Sequence, residues 1–209
     1  MATQPAAPTR GQSTRQAILD AAERVFAEVG FSTARLEDVA VAVGIRRASL
    51  IYYFPSKQML YDEVEAGIFR ALEAATDKRT AGVDDPWARI EALVDTWIDF
   101  MVARPTAARI ITRLIADITP RTSNPVEYSD ATLRVVDTII KDGQRAGIFG
   151  PLRPMNFVNT IGASVLHYVC NANLYGPERN YEPADPRRLA DYRALLHAIA
   201  RTALALPKP

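Results

Sequence analysis

The stretch that most constrains this chain is residues 33–57, TARLEDVAVAVGIRRASLIYYFPSK, in which two short helical patterns flank a single glycine. In the first pattern Leu36, Val39 and Val43 follow one another at intervals of three and four residues, which is typical of one face of a helix. Gly44 then favours the left-handed conformation that ends a helix and turns the chain. The stretch therefore predicts two helices joined by a tight turn.

The second of these helices is predicted over residues 46–53. It must stop at Phe54, because Pro55 follows and the residue before a proline avoids the α region. Thr33 is predicted to cap the first helix. Helix, glycine turn and helix is the layout of a DNA-reading motif whose second helix enters the major groove by its N-terminal residues.

The residues at the start of the second helix fit contact with DNA. Arginine can grip the O6 and N7 atoms of guanine with its two-pronged guanidinium, and small side chains let a helix approach base edges. Tyr52 and Lys57 suit contacts to the sugar-phosphate backbone, which position a helix without reading sequence. The alternative is a solvated surface, but two arginines sit badly against the positive end of a helix dipole unless an anion is present. The predicted DNA-binding residues are Thr33, Arg35, Arg46, Arg47, Ala48, Ser49, Tyr52 and Lys57.

Residues 14–60 resemble the N-terminal domain of the TetR family of bacterial transcriptional regulators. The matching residues are Ala21, Ala22, Phe26, Gly30, Phe31, Thr33, Val39, Ala40, Val43, Gly44, Ile45, Ser49, Leu50, Tyr52, Tyr53, Phe54, Ser56 and Lys57. The family often has serine and lysine where this chain has Arg46 and Arg47, and tyrosine where it has Ile51. The resemblance therefore implies the fold and a double-stranded DNA operator as partner, but it does not imply the operator sequence.

The resemblance also implies the domain organisation. Residues 1–12 are expected to form a disordered arm, in which a basic side chain either brushes the DNA backbone or is simply solvated. Residues 13–57 are expected to form the DNA-binding domain, with the helix-turn-helix at 34–53. Residues 58–209 are expected to form a helical domain that binds a small effector and pairs two copies of the chain into a homodimer. Such a protein would most often be a repressor that its effector releases from a palindromic operator.

The charge balance requires any DNA affinity to come from a local patch, because the formal net charge of the chain is only +1. Residues 1–60 carry seven Arg or Lys against five Asp or Glu, and the bases cluster in the arm and the second helix of the motif. The single cysteine excludes an intrachain disulfide and favours a reducing compartment. The N-terminus has no apolar signal-peptide region, and no apolar run approaches the ~18 residues of a membrane span. We expect a soluble cytoplasmic protein without a membrane partner.

The whole pattern is all-α. Proline and glycine breaks separate the helical segments, and no pair of strands is indicated. From residue 58 onward the helices are expected to form an antiparallel bundle. Nine helices are predicted, over residues 13–30, 34–43, 46–53, 58–80, 86–103, 106–118, 126–146, 154–174 and 186–204.

The bundle carries side chains that are larger or more polar than a plain core requires. An aromatic cluster closes one predicted helix, and a polar stripe over residues 160–171 follows another. Three interpretations of the stripe remain open: a ligand pocket with an apolar body, a dimer interface, or an internal hydrogen-bond network. The effector would be apolar or aromatic. The predicted ligand-binding residues are Trp97, Phe100, Met101, Arg113, Tyr128, His167, Tyr168 and Asn171.

The last helix repeats apolar residues at intervals of three and four, which suits association between subunits. The residues predicted to form the dimer interface are Leu189, Tyr192, Leu196, Ile199 and Ala203.

Other classes of function have less support in the sequence. His167, His197 and Cys170 match no metal-ligand spacing, so neither a metal nor another cofactor is predicted. An all-helical enzyme would have His167, Asp117 and Arg113 in its cavity without a nucleophile or phosphate-binding loop. We therefore predict a protein that is not an enzyme. An activator or a regulator that ignores ligands has the same sequence pattern as a repressor.

Overall fold

The computed structural model describes residues 10–116, 125–174, 176, 177 and 180–207, and the side chains in these ranges except those of residues 10, 125–129, 131 and 132. Every regular element in these ranges is helical. The elements are α1 (Arg10–Thr33), α2 (Leu36–Val43), α3 (Arg47–Tyr53), α4 (Lys57–Thr80), α5 (Pro86–Ala103), α6 (Pro105–Ala116), α7 (Pro125–Arg145), α8 (Pro154–Phe157), a π-helical turn (Val158–Gly162), α9 (Ala163–Cys170) and α10 (Pro186–Leu204).

The prediction of nine helices is confirmed within these ranges, because α8, the π-helical turn and α9 form one continuous rod. Phe157, Val158, Gly162 and Ala163, which flank the junctions, all have right-handed helical dihedrals. The rod ends at Cys170, four residues earlier than predicted. The predicted sixth helix includes residues 117 and 118, which lie outside the described ranges.

The contacts divide the chain into two compact units, Met1–Gly67 and Ile68–Pro209. The core of the first unit is formed by apolar side chains of α1 to α4, among which Ile18, Leu50 and Leu60 have no exposed surface. Phe26, Phe31 and Tyr61 form an aromatic cluster in this unit, with Phe26 and Tyr61 packed edge to face at 4.9 Å between ring centroids.

In the second unit α5 is the central helix, and it packs against α6, α7, α9 and α10. Asp85 caps α5 by accepting a hydrogen bond of 2.7 Å from the Ala88 amide, and Pro86 occupies the first turn. Ile90, Leu93 and Ile98 are completely buried. This apolar face of α5 holds the bundle together.

The polar edge of α5 is tied to α10 and α4 by ion pairs. Arg193 donates to Asp95 at 2.6 Å and to Asp99 at 2.5 Å, and His197 lies 2.8 Å from Asp95. Arg79 bonds the other carboxylate oxygen of Asp99 at 2.5 Å. Burial alone would raise the pKa of Asp99, but the hydrogen bonds from Arg79 and Arg193 outweigh that effect and hold this pKa below its usual value.

Close packing at Gly143 makes the second unit sensitive to one methyl group. A Cβ atom at this buried position in α7 would overlap the ring of Phe149, which is itself 3% exposed and packed edge to face on Trp87. We expect Gly143→Ala to lower the free energy of unfolding by roughly 1–2 kcal/mol, because an overpacked core must shift to make room. Urea unfolding followed by circular dichroism measures the change.

The matched control for this prediction is Gly67→Ala, also within a helix, where an added Cβ meets nothing within 4 Å. This substitution should be neutral or stabilising, since alanine is the better helix former. Equal losses of stability in the two variants would contradict the overlap at Phe149.

Candidate nucleic-acid interface and ligand cavity

The predicted helix-turn-helix is formed by α2 and α3. Gly44 has φ 75° and ψ 31°, and the amide of Ile45 bonds the Ala40 carbonyl at 3.0 Å. A residue with a Cβ atom would be strained at this corner. Phe54 ends α3 in an extended conformation with its amide bonded to Leu50. The turn and the stop are therefore formed by the residues that the sequence indicated.

The start of α2 differs from the prediction, in which Thr33 was the cap. Thr33 is the last residue of α1, whose helical dihedrals break at Gly30, and the residue that precedes α2 is Arg35. The Asp38 carboxylate reaches back to accept a hydrogen bond of 3.2 Å from the Arg35 amide. Because a carboxylate inside the first turn satisfies this amide, the cap does not require the Thr33 hydroxyl.

The first turns of α3 present their side chains to solvent. Arg46, Arg47, Ala48, Ser49 and Tyr52 are all exposed, Tyr52 by 83%. Leu50, in contrast, is completely buried and anchors the helix to its unit. Thr33 and Arg35 are exposed as well.

The two arginines at the start of α3 have different surroundings. The Nε atom of Arg47 lies 2.6 Å from a carboxylate oxygen of Glu37, and both side chains are more than half exposed. Arg46 has no ion-pair partner among the described residues. The pair with Glu37 occupies the inner nitrogen of Arg47, so its two terminal amino groups remain available for a two-pronged contact.

Lys57 does not have the free ammonium group that a phosphate contact would need. Its Nζ atom donates to the carbonyls of Phe31, Ser32 and Ala34 at 2.7, 3.2 and 3.0 Å. It also lies 4.6 Å from the centre of the Phe31 ring. All three donors of the ammonium group are used inside the unit, which gives Lys57 a structural role that the sequence pattern did not predict.

Arg15, the basic residue just after the predicted arm, is also engaged within the first unit. Its guanidinium is 3.2 Å from the Glu63 carboxylate and lies over the Phe54 ring at 5.0 Å. Of the predicted disordered arm, residues 10–12 belong instead to α1, and residues 1–9 lie outside the described ranges.

The second unit contains a cavity of about 420 Å³ among α4, α5, α6, α7 and the rod that contains the π-helical turn. Its wall is almost entirely apolar. The lining residues are Phe69, Leu72, Trp97, Met101, Ile111, Leu114, Ile115, Leu133, Met155, Val158, Asn159, Gly162, Ala163, Val165 and Leu166.

Of the predicted ligand-binding residues, Trp97 and Met101 line this cavity. Phe100 lies instead at a separate depression with Lys78, Arg79 and Asp99. Arg113 is exposed on α6 and is not part of the cavity wall. The side chain of Tyr128 is outside the described set.

The polar stripe on α9 turns away from the cavity. His167 is exposed and its Nδ1 atom lies 2.6 Å from the Asn171 amide nitrogen. The Tyr168 ring stacks on Tyr192 at 4.0 Å, and its hydroxyl donates to the Pro183 carbonyl at 3.2 Å. His167, Tyr168 and Asn171 are therefore not part of the described cavity wall, and the choice between a dimer interface and an internal network stays open.

The residues predicted for the dimer interface have mixed environments. Leu196 is 1% exposed and belongs to the core of its own unit. The Tyr192 ring stacks on Tyr168, and the pKa of its hydroxyl is raised, mainly because burial disfavours the charged form and further through the charges of Tyr181 and Tyr168. Leu189 and Ile199 are half-buried, and Ala203 is exposed. Leu195, which is not among the predicted residues, is an apolar residue of α10 that is 54% exposed.

The described residues contain no cluster of three or more His, Cys, Asp or Glu side chains that could hold a metal ion. None of the helices in these ranges combines the length and the hydropathy that a membrane span requires.

Comparison with known proteins gives a consistent set of relatives. A family model described as bacterial regulatory proteins of the tetR family matches residues 18–64. The chain is 31% identical over 150 residues to the HTH-type transcriptional repressor KstR2 of Rhodococcus jostii (strain RHA1), covering 68% of this chain and 74% of that protein. It is 28% identical over 175 residues to the HTH-type transcriptional regulator RutR of Escherichia coli (strain K12), covering 79% and 81% of the two chains.

Solved structures share the fold. The crystal structure of a TetR family transcription regulator from Marinobacter aquaeolei VT8 superimposes with a TM-score of 0.78, over 95% of this chain and 98% of that one, at 18% identity. The helix-turn-helix unit and the helical bundle are therefore an arrangement found in known proteins.

Proposed function

Since the chain belongs to the tetR family of bacterial regulatory proteins, we propose that it is a repressor that binds a palindromic operator as a homodimer and leaves it when a small molecule binds. DNA-binding transcriptional regulation follows from membership of the family and from the relatives. What we propose beyond this is that the protein forms a symmetric dimer, represses transcription, responds to an effector and is located in the cytoplasm.

The observation that carries the proposal is the arrangement of α3. Arg46, Arg47 and Ser49 are exposed on the turn that would meet base edges, while Leu50 anchors the helix from the other side. A recognition helix needs this division between a buried anchor and an exposed first turn, because its N-terminal residues read the major groove. Thr33, Arg35 and Tyr52 are proposed as backbone contacts. Lys57 is left out because its donors are occupied.

The homodimer is proposed to form through the exposed part of α10. Leu195 and Ala203 are exposed there, and Leu189 and Ile199 are half-buried. Two-fold symmetry would place two copies of α3 in successive major grooves, about 34–36 Å apart, so the operator would share that symmetry.

Release by an effector requires a ligand that binds one state of the protein more tightly than the other, and coupling of about 1–3 kcal/mol is typical. The apolar cavity of the second unit is the proposed site. Helix α4 begins in the first unit and ends in the second, so it supplies a continuous backbone path for the coupling.

A gel shift against the DNA upstream of the protein's own gene tests the proposal, together with the mass of the free protein from light scattering. We expect a dimer mass and a complex that survives excess random duplex. Systematic mutation of the bound segment should then reveal an inverted repeat. A monomer that ignores every duplex at low salt would overturn the proposal.

A further inference from the structure

The lining of the cavity in the second unit restricts the chemistry of its ligand. We propose that the cavity binds an uncharged, largely apolar small molecule whose polar group, a carbonyl or a hydroxyl, meets the side-chain amide of Asn159. The link to gene regulation rests on the proposed function, but the binding itself does not. A volume of about 420 Å³ falls in the range of sites for drug-sized ligands.

The described residues of the cavity wall carry no charge, since none of them is Arg, Lys, His, Asp or Glu. A carboxylate buried there would lose its hydration without gaining an ion pair, which is among the largest penalties in protein interiors. His167, on the same rod, bonds Asn171 and is not part of the lining. The described part of the wall therefore offers no ion-pair partner to a charged group of a ligand.

The polar group of the ligand is assigned to Asn159, because it has the one side-chain amide among the described lining residues. It is exposed and lies within the π-helical turn, one helical turn beyond Met155. Within the described part of the chain its amide has no hydrogen-bond partner. Since an amide both donates and accepts, it can bond either a carbonyl or a hydroxyl. Ile115 and Met155, which also line the cavity, are exposed by 69% and 50%, so the cavity is accessible from solvent.

The π-helical turn also packs closely on Trp97, which forms part of the cavity wall. A Cβ atom at Gly162 would come within 3.2 Å of the Trp97 ring atom Cζ3, so the glycine permits this close approach. The chain has two tryptophans, and Trp87 does not line the cavity. In a Trp87→Phe background, therefore, tryptophan fluorescence reports on the cavity alone.

The test compares two matched pairs of probes in the Trp87→Phe protein, without DNA and at a pH where both acids are ionised. The pairs are methyl lithocholate with lithocholate, and methyl myristate with myristate, so that each ester differs from its acid mainly in charge. We expect at least one ester to change the Trp97 fluorescence saturably and to bind about tenfold or more tightly than its acid. If neither ester binds, or if the acid of the binding pair binds as tightly as its ester, the proposal is wrong.

Three substitutions locate the site. Asn159→Leu should weaken binding of the ester by about fivefold, the effect of one hydrogen bond. Asn156→Leu makes the same change one turn earlier, at an exposed position outside the lining, and should leave the affinity unchanged. Ala163→Phe places a ring in the cavity and should abolish binding. Equal losses in the Asn156 and Asn159 variants would remove the role assigned to Asn159, and full affinity in the Ala163 variant would place the ligand elsewhere.

Adding the same ester to the operator complex separates this inference from the proposed function. Binding without release of DNA would refute the effector mechanism and leave the ligand class standing. Release from DNA by an acid that binds better than its ester would refute the ligand class and leave the effector mechanism standing.

Discussion

Arg47→Ala is expected to lower the affinity for the operator by about 1–3 kcal/mol at each half-site, and so by roughly twice that amount for the proposed dimer. Arg47 is exposed at the start of α3, and the Glu37 carboxylate holds its Nε atom at 2.6 Å. The two terminal amino groups are left to bond the O6 and N7 atoms of one guanine. Quantitative gel shifts with the operator and with random duplex measure the loss, which should be far greater for the operator.

The control for Arg47→Ala is Arg24→Ala, which removes an exposed arginine of α1 outside the motif and should change neither affinity. Glu37→Ala keeps the arginine but releases it, so the expected loss is smaller, in the range of ~0–1 kcal/mol of an exposed ion pair. An equal loss of affinity for operator and random DNA in Arg47→Ala would mean that this side chain contacts a phosphate rather than a base.

The helix-turn-helix could be predicted from sequence because its signals are local. Gly44 must adopt positive φ wherever it ends α2, and Pro55 restricts Phe54 whatever packs around it. The cap of α2 was predicted wrongly. Thr33 belongs to the end of α1, beyond the break at Gly30, and the Asp38 carboxylate bonds the Arg35 amide at the start of α2.

The cavity could be predicted only in part, because its wall depends on which faces of distant helices meet. Trp97 and Met101 were found since they are large apolar residues one turn apart on the buried face of α5. The polar stripe ending at Asn171 suggested a pocket, yet its residues bond one another and the loop after α9. Asn159 was missed, because nothing in the sequence marks the π-helical turn that carries it.

Lys57 shows how the same residue type can serve two purposes that sequence does not distinguish. A lysine just after a recognition helix suits a phosphate contact. If Lys57 made such a contact, its removal would weaken binding to all DNA and reduce the salt dependence of that binding. In the structure its ammonium group instead bonds three carbonyls that follow the break in α1 at Gly30. Phe31 and Ser32 lie in the last turn of α1 and Ala34 just beyond it, where regular backbone partners are lacking.

We therefore expect Lys57→Met to lower the free energy of unfolding of the first unit by roughly 2–4 kcal/mol, because each hydrogen bond to a charged group contributes about 1.5–3 kcal/mol and three share one partly exposed ammonium. Methionine keeps the apolar stem that packs beside the Phe31 ring. Urea unfolding measures the loss, and faster amide exchange over residues 31–35 would locate it.

Lys78→Met is the matched control, since it makes the same substitution in the same helix at an exposed lysine that has no bonding partner among the described residues. It should leave stability unchanged. If Lys57→Met instead retained its stability and reduced the salt dependence of DNA binding, Lys57 would be a phosphate contact after all. The three carbonyls would then be satisfied by water, and the end of α1 would not depend on a side chain from α4.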